Sequence, residues 1–219
     1  MGDLAPRCLA LLVLAVALFA APAWAKDAAK EEEAEPKFGG PLVGEEAPAL
    51  SLHDTMGREV ELASLWTKTP LVLVTGSYSC PVYRTRAAGL QRLFDRYSAR
   101  VKFAVLYTVE AHPAGSASPY SAAEWLTDEN KKENILLTQP ATFEERARLA
   151  SQSRTALGLE MPVLVDGMDN AGWEEYGNAP NACYLINSEG EVRLRQDWFD
   201  PPALEKEILI ALQEEPAAW

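Results

Sequence analysis

Cysteine is scarce in this chain of 219 residues: only Cys8, Cys80 and Cys183 are present. Three thiols cannot staple a scaffold, so the fold has to rest on its apolar core. Position 83 is Tyr83, so Cys80 has no Cys-x-x-Cys partner, and an internal dithiol of the thioredoxin kind is excluded. Positive charge is also in deficit. Lys and Arg number 20 against 32 Asp and Glu, a net charge of −12, and no basic stripe with interleaved aromatics offsets it. A nucleic-acid partner is therefore disfavoured. There is no internal repeat.

The N-terminus carries a long apolar run. Arg7 precedes an uncharged stretch from Cys8 to Ala25, and Ala23-Trp24-Ala25 places small residues before Lys26. Residues 1–25 read as an export signal, with an uncleaved anchor as the alternative that Pro22 and the Ala-x-Ala pattern argue against. Either topology puts the remainder outside the cytoplasm, periplasmic, secreted or anchored. Residues 26–41 (KDAAKEEEAEPKFGGP) are charged and poor in apolar surface, and read as a flexible linker. Residues 42–215 form one folded domain.

Within that domain, Val43 to Leu52 is extended, Asp54 to Gly57 is a turn, and His53 is expected beside it as an exposed turn residue. Leu71 to Thr75 is a strand feeding a helix from Pro81 to Tyr97, with Leu90, Leu93, Phe94 and Tyr97 at helical spacing. Val101 to Tyr107 is apolar enough to be buried on both faces. Ala114 to Gln139 reads as an irregular insertion with a short helix near Ala122 to Leu126. Thr142-Phe143-Glu144-Glu145 is a capping box opening a helix to about Leu157. Met161 to Asp166 is a strand, Ser188-Glu189-Gly190 joins a hairpin, and Pro201 opens a last helix ending near Leu212. This order predicts an α/β, thioredoxin-like architecture of the redoxin or peroxiredoxin type: three layers, α/β/α, around a central mixed sheet.

Cys80 is the candidate nucleophile. A strand runs into it and Pro81 follows, which places the thiol at a helix N-terminus, where free N–H groups and the dipole favour thiolate. Arg84 and Arg86 add positive charge, so Cys80 is expected to be thiolate-rich at neutral pH. Burial as a small hydrophobe is the competing reading. The Glu110–His112 loop ends the next strand and shares the same sheet edge. His112 can donate a proton near neutrality, with Glu110 holding its tautomer. Cys183 is either an inward-facing strand residue or a thiol approaching Cys80. Trp173, Tyr176 and Trp198 are candidates to line an aromatic pocket, with core or rim packing the plainer alternative.

Gly76-Ser77-Tyr78-Ser79-Cys80-Pro81 resembles the Gly-Ser-x-Thr-selenocysteine-Pro motif of the iodothyronine deiodinases, with Cys80 in the selenocysteine place. Tyr107-Thr108-Val109-Glu110-Ala111-His112-Pro113 is similar to that family's Tyr-x-x-Glu-Ala-His-Pro. Val163 to Asn170 and Tyr176 to Pro180 follow in the family's order. The resemblance implies reductive dehalogenation of an iodinated aromatic, with Cys80 as nucleophile and Ser77, Ser79, Tyr107, Glu110 and His112 around it relaying protons. It implies no bound cofactor and no metal, but a small-molecule substrate and an external thiol or thioredoxin-like reductase, with a homodimer left open. Pro180-Asn181-Ala182-Cys183 lacks the basic residue that the family carries there, which argues against thyroid hormone itself. A one-cysteine peroxidase using the same thiolate is the runner-up, although Tyr83 and Arg84 stand where peroxiredoxins have an acidic residue. A non-catalytic thioredoxin-fold module binding a partner or a metal is the third reading, with Cys80 and His112 too few ligands for a usual site.

Overall fold

A computed structural model describes residues 38–214. The expected export signal, most of the linker and the domain's last residue, 215, lie outside the described residues. Seven strands form one mixed sheet: β1 (Ser51–Asp54), β2 (Glu59–Glu61), β3 (Leu71–Gly76), β4 (Lys102–Tyr107), β5 (Val163–Val165), β6 (Cys183–Ile186) and β7 (Val192–Gln196), in the order β2-β1-β5-β4-β3-β6-β7. Strands β3, β4 and β5 are parallel, while β6 runs antiparallel to β3 and β1 antiparallel to β5. Every residue of β3 is buried, as a central strand covered on both faces requires.

Helices α1 (Pro81–Tyr97) and α3 (Phe143–Ala156) carry the two crossovers β3-to-β4 and β4-to-β5. Both crossovers step the same way along the sheet, so right-handed connection puts both helices on one face. The C-terminal helix α5 (Pro201–Glu214) joins them there. Leu90 and Leu93, Ala147 and Ala150, and Leu204 and Ile208 pack with Val72, Val74, Phe103 and Val105. The opposite face is covered by less regular material. Leu62, Trp66, Ala47 and Tyr176 pack there on Leu71, Leu73, Leu106 and Tyr184, with the short helix α4 (Ala171–Glu175) leading into Tyr176. The layers are three, and unequal.

Three expectations need correction. The insertion's helix, α2, spans Asp128–Lys132 rather than Ala122–Leu126; it is capped by the Thr127 side chain, which accepts from Asn130 N, and opens with Asp128 and Glu129 at its positive end. His53 is a residue of β1 paired with Glu59 and Val165, and its ring meets the edge of Phe143 at 5.3 Å. It is half-buried and lines an open cavity of about 1130 Å³ against α3, away from Cys80.

The described end of the supposed linker is docked rather than free. Arg195 donates to the carbonyls of Phe38, Gly39 and Gly40, the last at 2.9 Å, and pairs with Asp197 at 2.9 Å. Gly40 has φ +104, and a Cβ on Gly177 would fall 1.7 Å from the Gly39 oxygen. The glycines there allow two backbones to touch; they are not spacers. The helix starts where expected, with Glu145 N donating to Thr142 Oγ1 at 3.2 Å, but Glu145 Oε2 accepts at 2.8 Å from Ala141 N, one residue before the cap, rather than from Thr142 N.

Candidate active site

The nucleophile turn is built by its own sequence. After β3, Cys80 N donates to the Ser77 carbonyl at 3.1 Å, and Cys80 becomes the N-cap of α1 with Pro81 at the first helical position. Its sulfur accepts from Tyr83 N at 3.5 Å. A Cβ on Gly76 would lie 2.4 Å from the Tyr83 ring, so glycine is what lets that ring close over the strand end. Cys80 is left 1% exposed.

That burial overturns the expectation of a thiolate-rich cysteine. Desolvation is the largest influence and pushes the Cys80 thiol up; the Tyr83 and Val82 N–H groups and the Arg84 charge pull the other way without winning. Arg86 is not among the groups acting on the sulfur; its guanidinium donates to the Phe199 carbonyl. A helix terminus contributes about 0.3–2 kcal/mol to a nearby anion, whereas removing a charge from water costs several kcal/mol. Buried in this way, Cys80 is favoured as the thiol over the thiolate.

The other five predicted residues do converge on the turn. Tyr107, the last residue of β4, donates its hydroxyl to Glu110 Oε1 and accepts from Tyr78 N at 3.1 Å. Glu110 Oε2 accepts from Ser79 N at 2.8 Å. Ser77 Oγ accepts from Ala111 N, and Ser79 Oγ from His112 N, each at 3.0 Å. The two loops are thus sewn together serine to backbone. Glu110 is fully buried, and desolvation raises its pKa against the donors that stabilise its ionised form.

His112 departs from its expected partner. Its Nδ1 lies 3.0 Å from the Trp125 carbonyl oxygen, and its ring meets the Trp125 ring at 4.5 Å and 88°. A carbonyl only accepts, so Nδ1 carries the hydrogen and Nε2 of the neutral ring is left as an acceptor. Trp125, not Glu110, sets the tautomer. Desolvation pulls the His112 pKa down, so at neutral pH the ring is better placed to receive a proton than to give one.

Several residues that sequence reasoning missed complete the site. Gln139 brackets Glu110, its Oε1 accepting from Glu110 N at 2.8 Å and its Nε2 donating to Glu110 O at 3.3 Å. Asn130 is fully buried and joins Ser79 to Arg84. Arg146 of α3, 2% exposed, donates to the Asp166 and Gly167 carbonyls and to Asn170 Oδ1, and its charge bears on both Glu110 and Asp166. Nothing local marks these residues: each is a polar side chain in a polar stretch, and only the fold buries it. Cys183 sits in β6 opposite Val74, fully buried, and both cysteines are free thiols. The three aromatics part company. Trp173 donates to Tyr120 Oη at 3.2 Å, Tyr176 donates to the Pro48 carbonyl inside the second core cluster, and Trp198 is exposed beside Phe38. Among the described residues no cluster of three or more His, Cys, Asp or Glu could hold a metal, and no helix is long and apolar enough to cross a membrane.

With this geometry in view, the comparisons with known proteins agree. The family model for iodothyronine deiodinase matches residues 40–195. Thyroxine 5-deiodinase of Sparus aurata is 31% identical over 122 residues, covering 56% of this chain and 41% of that protein. The chain thus spans less than half the length of the first curated relatives it matches. Among solved structures, a putative thiol:disulfide interchange protein DsbE from Chlorobium tepidum superposes with a TM-score of 0.51 at 18% identity, covering 78% of this chain and 98% of that one. Peroxidoxin BcpB from Mycobacterium tuberculosis does so with a TM-score of 0.51 at 13% identity, covering 80% and 98%. These likenesses carry the thioredoxin-like fold, and the sequence match carries the family: this chain is a thioredoxin-fold protein that belongs to the iodothyronine deiodinase family.

Proposed function

We propose that this protein is an exported thiol oxidoreductase that reductively removes iodine from an aromatic substrate, with Cys80 as nucleophile. The observation that carries the reading is the joining of the Cys80 turn to the Glu110–His112 loop through Ser77, Ser79 and Tyr107. A thioredoxin fold needs no such proton-holding network to exchange disulfides.

The chemistry balances on the thiol itself. The Cys80 thiol loses its proton, the sulfur attacks iodine, an S–I bond forms as the C–I bond breaks, and the carbon keeps the electron pair. That carbanion needs one proton, and the thiol has just released one. Neutral His112, with Nε2 free to accept, carries it from sulfur to carbon. Glu110, supported by Tyr107 and Ser79, keeps the loop and its protons in place. An external dithiol then attacks the sulfenyl iodide, releases iodide and one proton, and its second thiol frees Cys80 as a thiol. The reductant is oxidised to its disulfide and the aromatic is reduced.

Incubating the purified protein with an iodinated phenol or iodotyrosine and a dithiol tests this. Iodide release that Cys80→Ser abolishes is expected. Rapid reduction of hydrogen peroxide with every iodinated aromatic left intact would replace this reading with the thiol peroxidase one.

A further inference from the structure

No substrate reaches Cys80 in the arrangement described, because the sulfur-bearing residue is 1% exposed. Part of its cover comes from the 114–139 segment. That segment packs Tyr120 and Leu137 against the cluster containing Cys80, and Tyr120 lies near enough for its ionisation to be coupled to that of the sulfur. It is tied to the Glu110–His112 loop at three places: Ser118 Oγ to the Ala111 carbonyl at 2.8 Å, Trp125 O to His112, and the Gln139 amide to the Glu110 backbone, while Ala114 N to the Leu137 carbonyl at 2.6 Å closes its own base. To the nucleophile turn itself it is tied differently.

There the connection is a buried amide. Asn130 Nδ2 donates to the Ser79 carbonyl at 2.8 Å, and Asn130 Oδ1 accepts from Arg84 Nη2 at 2.8 Å. Arg84 Nη1 donates to the Tyr78 carbonyl at 2.7 Å, and the outer side of the guanidinium pairs with the half-exposed Glu133 at 3.0 Å. The two carbonyls held in this way belong to the two residues before Cys80. A guanidinium only donates and a peptide carbonyl only accepts, so the amide fits in one orientation, and asparagine is the side chain that serves both.

We propose that Asn130 is a positioning residue whose amide, through Arg84 and the Ser79 carbonyl, latches the 114–139 segment over Cys80, and that release of this latch admits substrate to the sulfur. The proposal rests on the reading of Cys80 as the nucleophile and goes beyond it by giving the site a closed and an open state. Opening breaks the Asn130–Ser79 and Asn130–Arg84 bonds together with the Arg84–Glu133 pair and lets water reach the sulfur, which removes the desolvation that favours the Cys80 thiol. Arg84 belongs to α1 and stays with the turn. The groups bearing on the sulfur are Arg84, Glu110, Tyr83 and Tyr120, and of these only Tyr120 leaves with the segment. Exposure and ionisation therefore arrive together.

Timed labelling with iodoacetamide at neutral pH tests this on the full chain, with Cys80 and Cys183 read as separate peptides by mass spectrometry. Cys183, fully buried in β6, reports global loosening. Asn130→Ala removes both side-chain hydrogen bonds and should accelerate Cys80 labelling by about tenfold or more, while Cys183 keeps its wild-type rate. Asn130→Asp keeps the Arg84 contact and the packing but cannot donate to Ser79; should the alanine variant fold poorly, it must still accelerate Cys80 alone. An unchanged Cys80 rate, or Cys80 and Cys183 accelerating in step, would overturn the latch. Labelling requires no dehalogenation, so this outcome is independent of whether iodide release succeeds.

Discussion

The Trp125 carbonyl oxygen lies 3.0 Å from His112 Nδ1, thirteen residues back in the chain, and that contact decides which way the imidazole faces. With Nδ1–H committed to the carbonyl, Nε2 is the working nitrogen, and the ring must be neutral for Nε2 to accept. Desolvation lowers the His112 pKa, so the neutral form persists to lower pH than an ordinary imidazole allows. The acid limb of the kcat/KM profile for deiodination is therefore expected below about 6.5, the unperturbed value. A limb at or above that value would show that another group sets it.

Replacing His112 by Ala should lower turnover by about a hundredfold to ten-thousandfold, the range for a proton-transfer group. The denaturant midpoint should fall only modestly, since the ring's contacts with Trp125 are lost but the Ser79–His112 contact uses the backbone N–H and survives the substitution. Rates and urea midpoints measured on the same preparation separate the two effects.

The Cys80 thiol should titrate above the ordinary cysteine value of about 8.5, because burial outweighs the Tyr83 and Val82 N–H groups and Arg84. Alkylation rates followed against pH report the midpoint. The thiolate fraction grows as pH rises, so labelling should still be climbing where an exposed cysteine has levelled off. A plateau already reached at neutrality would mean the helix terminus dominates after all.

Tyr107→Phe removes one hydroxyl that serves two buried partners, the Tyr78 N–H and Glu110 Oε1. Both are left without it, and each unsatisfied buried group costs about 1–3 kcal/mol. The expected result is a clear drop in the urea midpoint together with reduced turnover, measured by equilibrium unfolding and iodide release.

Arg195→Ala should release residues 38–41 from the sheet edge. Arg195 is the donor to three successive carbonyls there, and its side chain is only 7% exposed. Limited proteolysis should then cut near Phe38 in the variant faster than in the wild type, while Cys80 labelling stays unchanged.

What the sequence made legible was local. Pro81 after a buried strand fixes a helix start, and Cys80 is its N-cap as the spacing requires. The hairpin at Ser188–Gly190 and the Thr142 cap have the same character: the residues that make the feature are adjacent in the chain. The convergence of Ser77, Ser79, Tyr107, Glu110 and His112 was legible through strand ends and motif together. The thiol's charge was not, because depth of burial depends on what the 114–139 segment and Tyr83 do in three dimensions. His53 was misplaced because a four-residue strand and the turn it enters share the same polar composition. The α2 helix begins several residues beyond Ala122 because Thr127-Asp128-Glu129 supplies the cap and the acidic first turn. Gly39 and Gly40 looked like a spacer, since close backbone approach leaves the same residues as flexibility does.

The central claim is that the Cys80 sulfur takes the iodine and its own proton ends on the carbon. A single turnover in heavy water, with reduced protein in excess over an iodinated phenol and no added reductant, measures it most directly. The account predicts one deuterium at the carbon that lost iodine for each aromatic converted, with one Cys80 oxidised per product and no conversion by Cys80→Ser. Product formed equally by Cys80→Ser, or Cys80 remaining a free thiol while iodide is released, would contradict it.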